Sequence, residues 1–190
     1  MNLPNLLTLL RMALVPVFIV FYYIGQGGDQ LFSILAFVVF VAASATDAID
    51  GHIARSRNMI TNFGKLMDPL ADKVLTTAAF IVFVDMHIIP AWMVIVILAR
   101  EFIITGLRGV AASEGVVIAA GFSGKLKTVS QMIAICLILL DSAIGNGPAT
   151  HSLWAIVAGA GFIFIWIAVG LTVYSGAEYL WKGRKILNMK

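Results

Sequence analysis

Four aspartates are the residues whose type and spacing point most clearly to chemistry. Asp47 and Asp50 are three residues apart, and Asp68 and Asp72 are four residues apart. On a helix, either spacing places both residues on one face about one turn apart. Carboxylates gathered this closely need counter-charge to stay ionised. Because oxygen ligands favour hard cations, the pattern predicts a site for divalent ions such as Mg²⁺, Mn²⁺ or Ca²⁺.

A structural interpretation competes with the metal site. The acids could form loop salt bridges with nearby cations, namely Arg55, Arg57, Lys65 and Lys73. That would explain one acid, but it does not explain four at helical spacings in a chain with only 12% charged residues. Pro69 adds a further alternative, because proline suits a first helical turn. Asp68 could then cap the third helix instead of lying within it.

The residues around the acids suit phosphate chemistry. Gly51 and Ala54 have almost no side chain, which allows a bulky ligand to approach the helix. Arg55 offers a planar fork for a diphosphate, and Thr61 could add a hydroxyl contact. Two metal ions would neutralise charge on phosphate oxygens, and one carboxylate could take the proton of an attacking hydroxyl group.

The composition places these residues in a membrane protein. The chain has 190 residues, of which 61% are hydrophobic and 12% are charged, whereas soluble domains carry about 25% charged residues. The net charge of +3 is expected to reflect membrane orientation, so it does not predict a nucleic-acid partner.

The apolar runs predict an all-α fold, a polytopic membrane protein with six transmembrane helices in a single domain over residues 1–190. Each run is bounded by glycine or proline, or by charged residues. An N-terminal interfacial helical segment could precede the first span, within Met1–Arg11. The expected spans are Leu6–Ile24, Leu31–Ala48, Leu70–Ile88, Ala91–Val110, Leu126–Leu140 (extending back through Gly124) and Leu153–Tyr174.

The basic residues predict the orientation of these spans. With six spans, all 13 Lys and Arg residues fall toward the side shared by the termini, the 2–3 loop and the 4–5 loop. The loops near Asp29, Asp85 and Asp141 contain none. By the positive-inside rule, both termini and the acidic site are therefore expected at the cytoplasmic face.

The acidic stretch also resembles a known family. The pattern Asp47-x-x-Asp50-Gly51-x-x-Ala54-Arg55, then eight residues, then Gly64-x-x-x-Asp68-x-x-x-Asp72 resembles the complete signature of the CDP-alcohol phosphatidyltransferases. The resemblance implies that Asp47, Asp50, Asp68 and Asp72 bind two ions, Mg²⁺ or Mn²⁺. It also implies that Asp72 is the general base.

The same resemblance implies substrates and a location. CDP-diacylglycerol is the expected donor, in contact with membrane lipids, and the site is expected in a bacterial inner membrane. A homodimer is possible on this basis alone. The residues implied to contact the CDP-linked lipid are Asn5, Thr8, Gly51, Ala54, Arg55 and Thr61.

A second basic region could bind the acceptor. Arg100, Arg108, Lys125 and Lys127 could bind an acceptor phosphate, or they could brace carboxylates or lipid headgroups, and Glu101 could pair with Arg108. The surrounding segments and the opening residues resemble family members that use glycerol 3-phosphate, which is the acceptor expected here. Serine, inositol phosphate and phosphatidylglycerol are the alternatives.

A cation transporter is the alternative from another functional class, because intramembrane acids can mark an ion path. A transporter predicts acids through the depth of the membrane. Here the four aspartates are predicted to crowd one face, and the fifth and sixth spans carry no matching acids at mid-depth. The pattern therefore favours an interfacial enzyme site.

Overall fold

The structure, a computed structural model, describes residues 3–56, 62–113, 121–144 and 151–187. These residues form six α-helices, which confirms the all-α prediction. The helices are α1 (Leu3–Gln26), α2 (Gln30–Ser56), α3 (Asn62–Asp85), α4 (Ala91–Ser113), α5 (Phe122–Ile144) and α6 (His151–Leu187).

The largest differences from the predicted spans are at polar helix ends. The predicted second span stops at Ala48, but α2 continues to Ser56. The predicted third span begins at Leu70, but α3 begins at Asn62. Pro69 therefore lies inside α3, and the suggestion that Asp68 caps this helix is wrong. A proline inside a helix removes one backbone hydrogen bond and crowds the preceding turn, which membrane helices tolerate.

The first and fifth helices follow the prediction more closely. α1 runs without a break from Leu3 and contains Pro16, so no break separates an interfacial segment from the first span within the described residues. α5 begins at Phe122, which confirms that the short fifth run extends back through Gly124.

Several helices have the length and composition of membrane spans. Within the described residues, three segments meet both criteria, namely Thr8–Gln26, Phe122–Ile144 and Ala155–Trp181, and a shorter apolar segment covers Gln30–Thr46. Large apolar side chains are widely exposed, including Phe102 at 70% and Ile156 at 69%. Such surfaces suit a lipid environment, where apolar side chains need no burial in protein.

The first of two compact units comprises Met1–Val82 and Ile135–Gly159. In it α1 packs along α2, and the rings of Phe18 and Phe40 lie 5.6 Å apart. The α1–α2 turn also holds the end of α5. There, Gln30 Nε2 donates hydrogen bonds to the carbonyl oxygens of Ala143 (3.1 Å) and Ile144 (3.0 Å).

The second unit comprises Phe83–Ala134 and Ala160–Lys190. It contains α4, the first half of α5 and most of α6. Trp92 of α4 meets Trp166 of α6 edge to face at 5.6 Å. Its buried apolar residues include Met93, Ile97 and Ile165.

Candidate functional site

The backbone places all four aspartates on helices of the first unit. Asp47 and Asp50 lie near the end of α2, and Asp68 and Asp72 lie near the start of α3. Their spacings therefore are helical spacings, as the sequence predicted. Their side chains lie outside the described part of the structure, as do those of Asn5, Ala54 and Arg55. Gly51 belongs to the backbone of α2, and Thr61 lies outside the described residues altogether.

A buried arginine packs close to this acidic end of α2. Arg11 of α1 has no exposed surface, and its Nε donates a hydrogen bond to the carbonyl oxygen of Ala43 at 3.3 Å. The Thr46 hydroxyl donates to the same oxygen at 2.7 Å. Because Ala43 precedes Asp47 by about one helical turn, Arg11 brings a positive charge within about a turn of the acidic motif.

Thr8 shares the buried face of α1 with Arg11. It is three residues earlier, about one turn away, and is also fully buried. The structure therefore puts one predicted CDP-lipid contact on the face of α1 that packs against α2. In the sequence, Arg11 lies within the apolar run of the first span, and it is interpreted there only as the end of an interfacial segment and as one of the 13 basic residues. The lone cation in that run was the available signal, because a buried charge in such a segment is costly and often functional.

The second unit brings together two of the four predicted acceptor residues. Arg100 Nη1 lies 3.0 Å from Glu101 Oε1, and Lys127 Nζ forms an ion pair with the same oxygen. Lys127 is almost fully buried, with 2% of its side chain exposed. Arg108 and Lys125 are exposed. Arg100 and Lys127 thus share one carboxylate, and these three side chains together carry a net positive charge.

The last turns of α6 complete the surroundings of Arg100. The Arg100 guanidinium carbon lies 5.4 Å from the centre of the Tyr179 ring. The Tyr179 hydroxyl accepts a hydrogen bond from the Gly121 N–H at 2.6 Å. Beside it, the Ser123 hydroxyl donates to Glu178 Oε2 at 2.5 Å. Sequence reasoning missed Glu178 and Tyr179, whose only signal was their polarity at the end of a long apolar helix.

Two buried donors in this part of the second unit lack acceptors in the described structure. Within the described residues, Arg100 Nε and Gln131 Nε2 are buried without a hydrogen-bond partner. Gln131 is 6% exposed and lies one turn after Lys127 on α5. Buried donors without partners are costly. With Glu178 beside Ser123, the two cations are matched by two carboxylates, so it is the two unpartnered donors that suit an anion such as a phosphate group.

The structure does not describe a complete metal centre. Among the side chains that it describes, no group of three or more His, Cys, Asp or Glu residues could hold a metal ion. The four aspartates are outside that search, so the predicted metal ligands stay a prediction.

Comparisons with known proteins cover most of the chain. A family model described as CDP-alcohol phosphatidyltransferase matches residues 1–174. A Bacillus subtilis protein named CDP-diacylglycerol–glycerol-3-phosphate 3-phosphatidyltransferase is 41% identical, covering 98% of this chain and 99% of the relative. A Rickettsia typhi protein of the same name is 38% identical, covering 94% of each chain. A Mycobacterium tuberculosis protein named probable phosphatidylglycerophosphate synthase is also 38% identical, covering 94% of this chain and 80% of the relative.

Proposed function

Since the chain belongs to the CDP-alcohol phosphatidyltransferase family, we propose that it transfers the phosphatidyl group of CDP-diacylglycerol to sn-glycerol 3-phosphate. The products are phosphatidylglycerophosphate and CMP, which makes the chain a transferase of phospholipid biosynthesis. The observation that carries the proposal is the near full-length similarity to relatives named for this reaction, at 38–41% identity.

The proposed chemistry assigns distinct roles to the four aspartates. Asp47, Asp50, Asp68 and Asp72 bind two divalent ions, Mg²⁺ or Mn²⁺, which when bound neutralise charge on the diphosphate. Asp72 also accepts the proton of the acceptor hydroxyl. The acceptor oxygen then attacks the β-phosphorus of CDP-diacylglycerol, the bond to the bridging oxygen breaks, and CMP leaves. The helical spacing of each pair supports this assignment.

The CDP-linked lipid is proposed to bind along the acidic motif and the start of α1. The burial of Thr8 beside Arg11, on the α1 face that packs against α2, supports a role for this face. A buried arginine there adds positive charge for a diphosphate. The proposed contacts are Asn5, Thr8, Gly51, Ala54, Arg55 and Thr61.

The acceptor phosphate is proposed to bind Arg100, Arg108, Lys125 and Lys127. The support is the approach of two cations, Arg100 and Lys127, to one carboxylate, and the unpartnered donors of Arg100 and Gln131. This favours an acceptor that carries phosphate, such as glycerol 3-phosphate, over serine. Inositol phosphate also carries this group, so the acceptor has to be tested directly.

The proposed setting is a bacterial cell membrane. The chain forms a single domain over residues 1–190 with six transmembrane helices, both termini and the active site facing the cytoplasm. The clustering of all basic residues toward one predicted face supports this orientation. A homodimer is part of the proposal on the family resemblance alone.

An acceptor-exchange assay tests the function. The purified protein in detergent receives radiolabelled CDP-diacylglycerol, Mg²⁺ or Mn²⁺, and one acceptor at a time. We expect CMP release and a phosphatidyl product with glycerol 3-phosphate, but not with serine, inositol phosphate or phosphatidylglycerol. A chelator should stop the reaction, and added metal should restore it. No product with glycerol 3-phosphate contradicts the proposal, and metal flux into liposomes without CMP release favours a transporter.

A further inference from the structure

The end of α6 lies beyond the part of the chain that the family model matches. The match ends at residue 174, whereas α6 continues to Leu187. Glu178 and Tyr179 lie in this extension, and both contact the start of α5. The extension therefore contributes side chains to the polar cluster of the second unit.

Tyr179 contacts both Arg100 of α4 and Gly121, the residue before α5. Its side chain is buried, with 7% exposed, and its ring lies against the guanidinium group of Arg100. Its hydroxyl is fixed by the Gly121 N–H at 2.6 Å. Because the hydroxyl is anchored to the residue just before α5, the ring cannot turn away from Arg100 without breaking this bond.

The surroundings of Arg100 are narrow on the other sides. A Cβ atom added at Gly176 would lie 3.2 Å from Arg100 Cγ, and one added at Gly124 would lie 3.5 Å from Arg100 Nη2. Glu101 holds Nη1 at 3.0 Å, while Nε has no hydrogen-bond partner among the described residues. Arg100 therefore has close neighbours on several sides, and its Nε has a donor without a partner among the described residues.

We propose that Tyr179 is a positioning residue for acceptor binding, and that it acts by holding the Arg100 guanidinium in the orientation that receives the acceptor phosphate. This inference rests on the proposed role of Arg100 in acceptor binding. A flexible arginine loses side-chain entropy when it binds a ligand, and a pre-positioned one loses less. Tyr179 therefore affects affinity for glycerol 3-phosphate without touching the reacting atoms.

The test compares KM values for the two substrates in Tyr179→Leu and Tyr179→Phe. Loss of the ring should raise the KM for glycerol 3-phosphate about five- to tenfold, the range expected for a partly desolvated cation–π contact. The KM for CDP-diacylglycerol and kcat should change less than about twofold. Phenylalanine keeps the ring, so Tyr179→Phe should raise the acceptor KM less than Tyr179→Leu.

Tyr174→Leu is the matched control, because Tyr174 is on the same helix but is 64% exposed, and it should leave both KM values unchanged. If Tyr179→Leu does not fold, Tyr179→Met replaces it, since methionine adapts to irregular space. An unchanged acceptor KM in a folded ring-free variant overturns the inference. An equal rise in both KM values also overturns it, because that result indicates a structural role.

The Arg100→Gln variant distinguishes failure of the proposed role of Tyr179 from failure of the proposed acceptor site. Arg100→Gln should raise the acceptor KM, and adding Tyr179→Leu to Arg100→Gln should cause little further rise, because Tyr179 acts through Arg100. If Arg100→Gln leaves the acceptor KM unchanged, the proposed acceptor site is wrong. If Arg100→Gln raises it but the two variants act independently, only the role of Tyr179 is wrong.

Discussion

Asp72 has two proposed roles, as a metal ligand and as the base that receives the acceptor's proton. An asparagine has nearly the same shape, but its amide cannot take up that proton and it is a weaker ligand for a hard cation. Replacing Asp72 with asparagine therefore removes the chemistry of the carboxylate and keeps its contribution to packing.

We expect Asp72→Asn to lower kcat by about a thousandfold, within the range seen for removal of a general base. The measurement is CMP release by purified protein, with thermal unfolding followed in parallel. Asp29→Asn is the control, because Asp29 is exposed and its Oδ1 accepts a hydrogen bond from the Leu31 N–H at 3.1 Å, a role that asparagine can also fill. Full activity of Asp72→Asn would remove the base assignment.

The difference between local and long-range information explains which site residues the sequence could predict. The four aspartates are recognisable because their spacing along the chain is itself the signal. The contact of Tyr179 with Arg100, in contrast, joins different helices, and so does the ion pair of Lys127 with Glu101. Such pairings depend on how helices pack, which no local spacing records. Arg11 could be predicted only in part, since the sequence shows its position in an apolar run but not its hydrogen-bond partner on α2.

At the scale of elements, the α1–α2 pair depends on a close approach at Gly25. A Cβ atom added there would lie 2.6 Å from the backbone N and 2.9 Å from the Cα of Ser33. A Cβ atom at those distances from backbone atoms cannot be accommodated unless the backbone moves. Small residues at contacts of this kind allow membrane helices to pack closely.

We therefore expect Gly25→Ala to lower the thermal unfolding temperature, although alanine favours helix formation over glycine by about 1 kcal/mol. Gly170→Ala is the matched control, because an added Cβ there meets nothing within 4 Å, and it should leave stability unchanged or raise it. Unfolding of both variants in the same detergent is the measurement. Equal stability of Gly25→Ala and the parent chain would show that α1 and α2 do not depend on this contact.

Helix ends were the least predictable feature of the elements. The predicted second span stopped at Ala48, where the apolar run meets the acidic motif, yet α2 continues to Ser56. Hydropathy marks where a segment stops favouring lipid, whereas a helix continues as long as its backbone hydrogen bonds are made. α6 shows the same effect, since it continues from the predicted end at Tyr174 to Leu187. The residues beyond the apolar runs are the ones that carry the acidic motif and Tyr179.

The length of α6 and the charge at its C-terminal end predict how the chain crosses the membrane. The 37 residues of α6 correspond to about 55 Å, compared with about 30 Å for the hydrocarbon core of a bilayer. One end of α6 must then leave the hydrocarbon, and its C-terminal end carries basic residues at 182, 184 and 185. A charged end of this kind is expected at the cytoplasmic face.

The topology can be measured with single cysteines, because the chain has only one, Cys136. In a Cys136→Ser background, we place one cysteine at Asp29→Cys, between α1 and α2, and another at Lys190→Cys, at the C-terminus. A membrane-impermeant maleimide should label Asp29→Cys in right-side-out vesicles and Lys190→Cys only in inverted vesicles. Reversed labelling would contradict the cytoplasmic orientation, and labelling of both from one side would contradict the predicted number of spans. If the expected pattern is found, the orientation places the acidic ends of α2 and α3 on the side where a water-soluble acceptor and CMP are available.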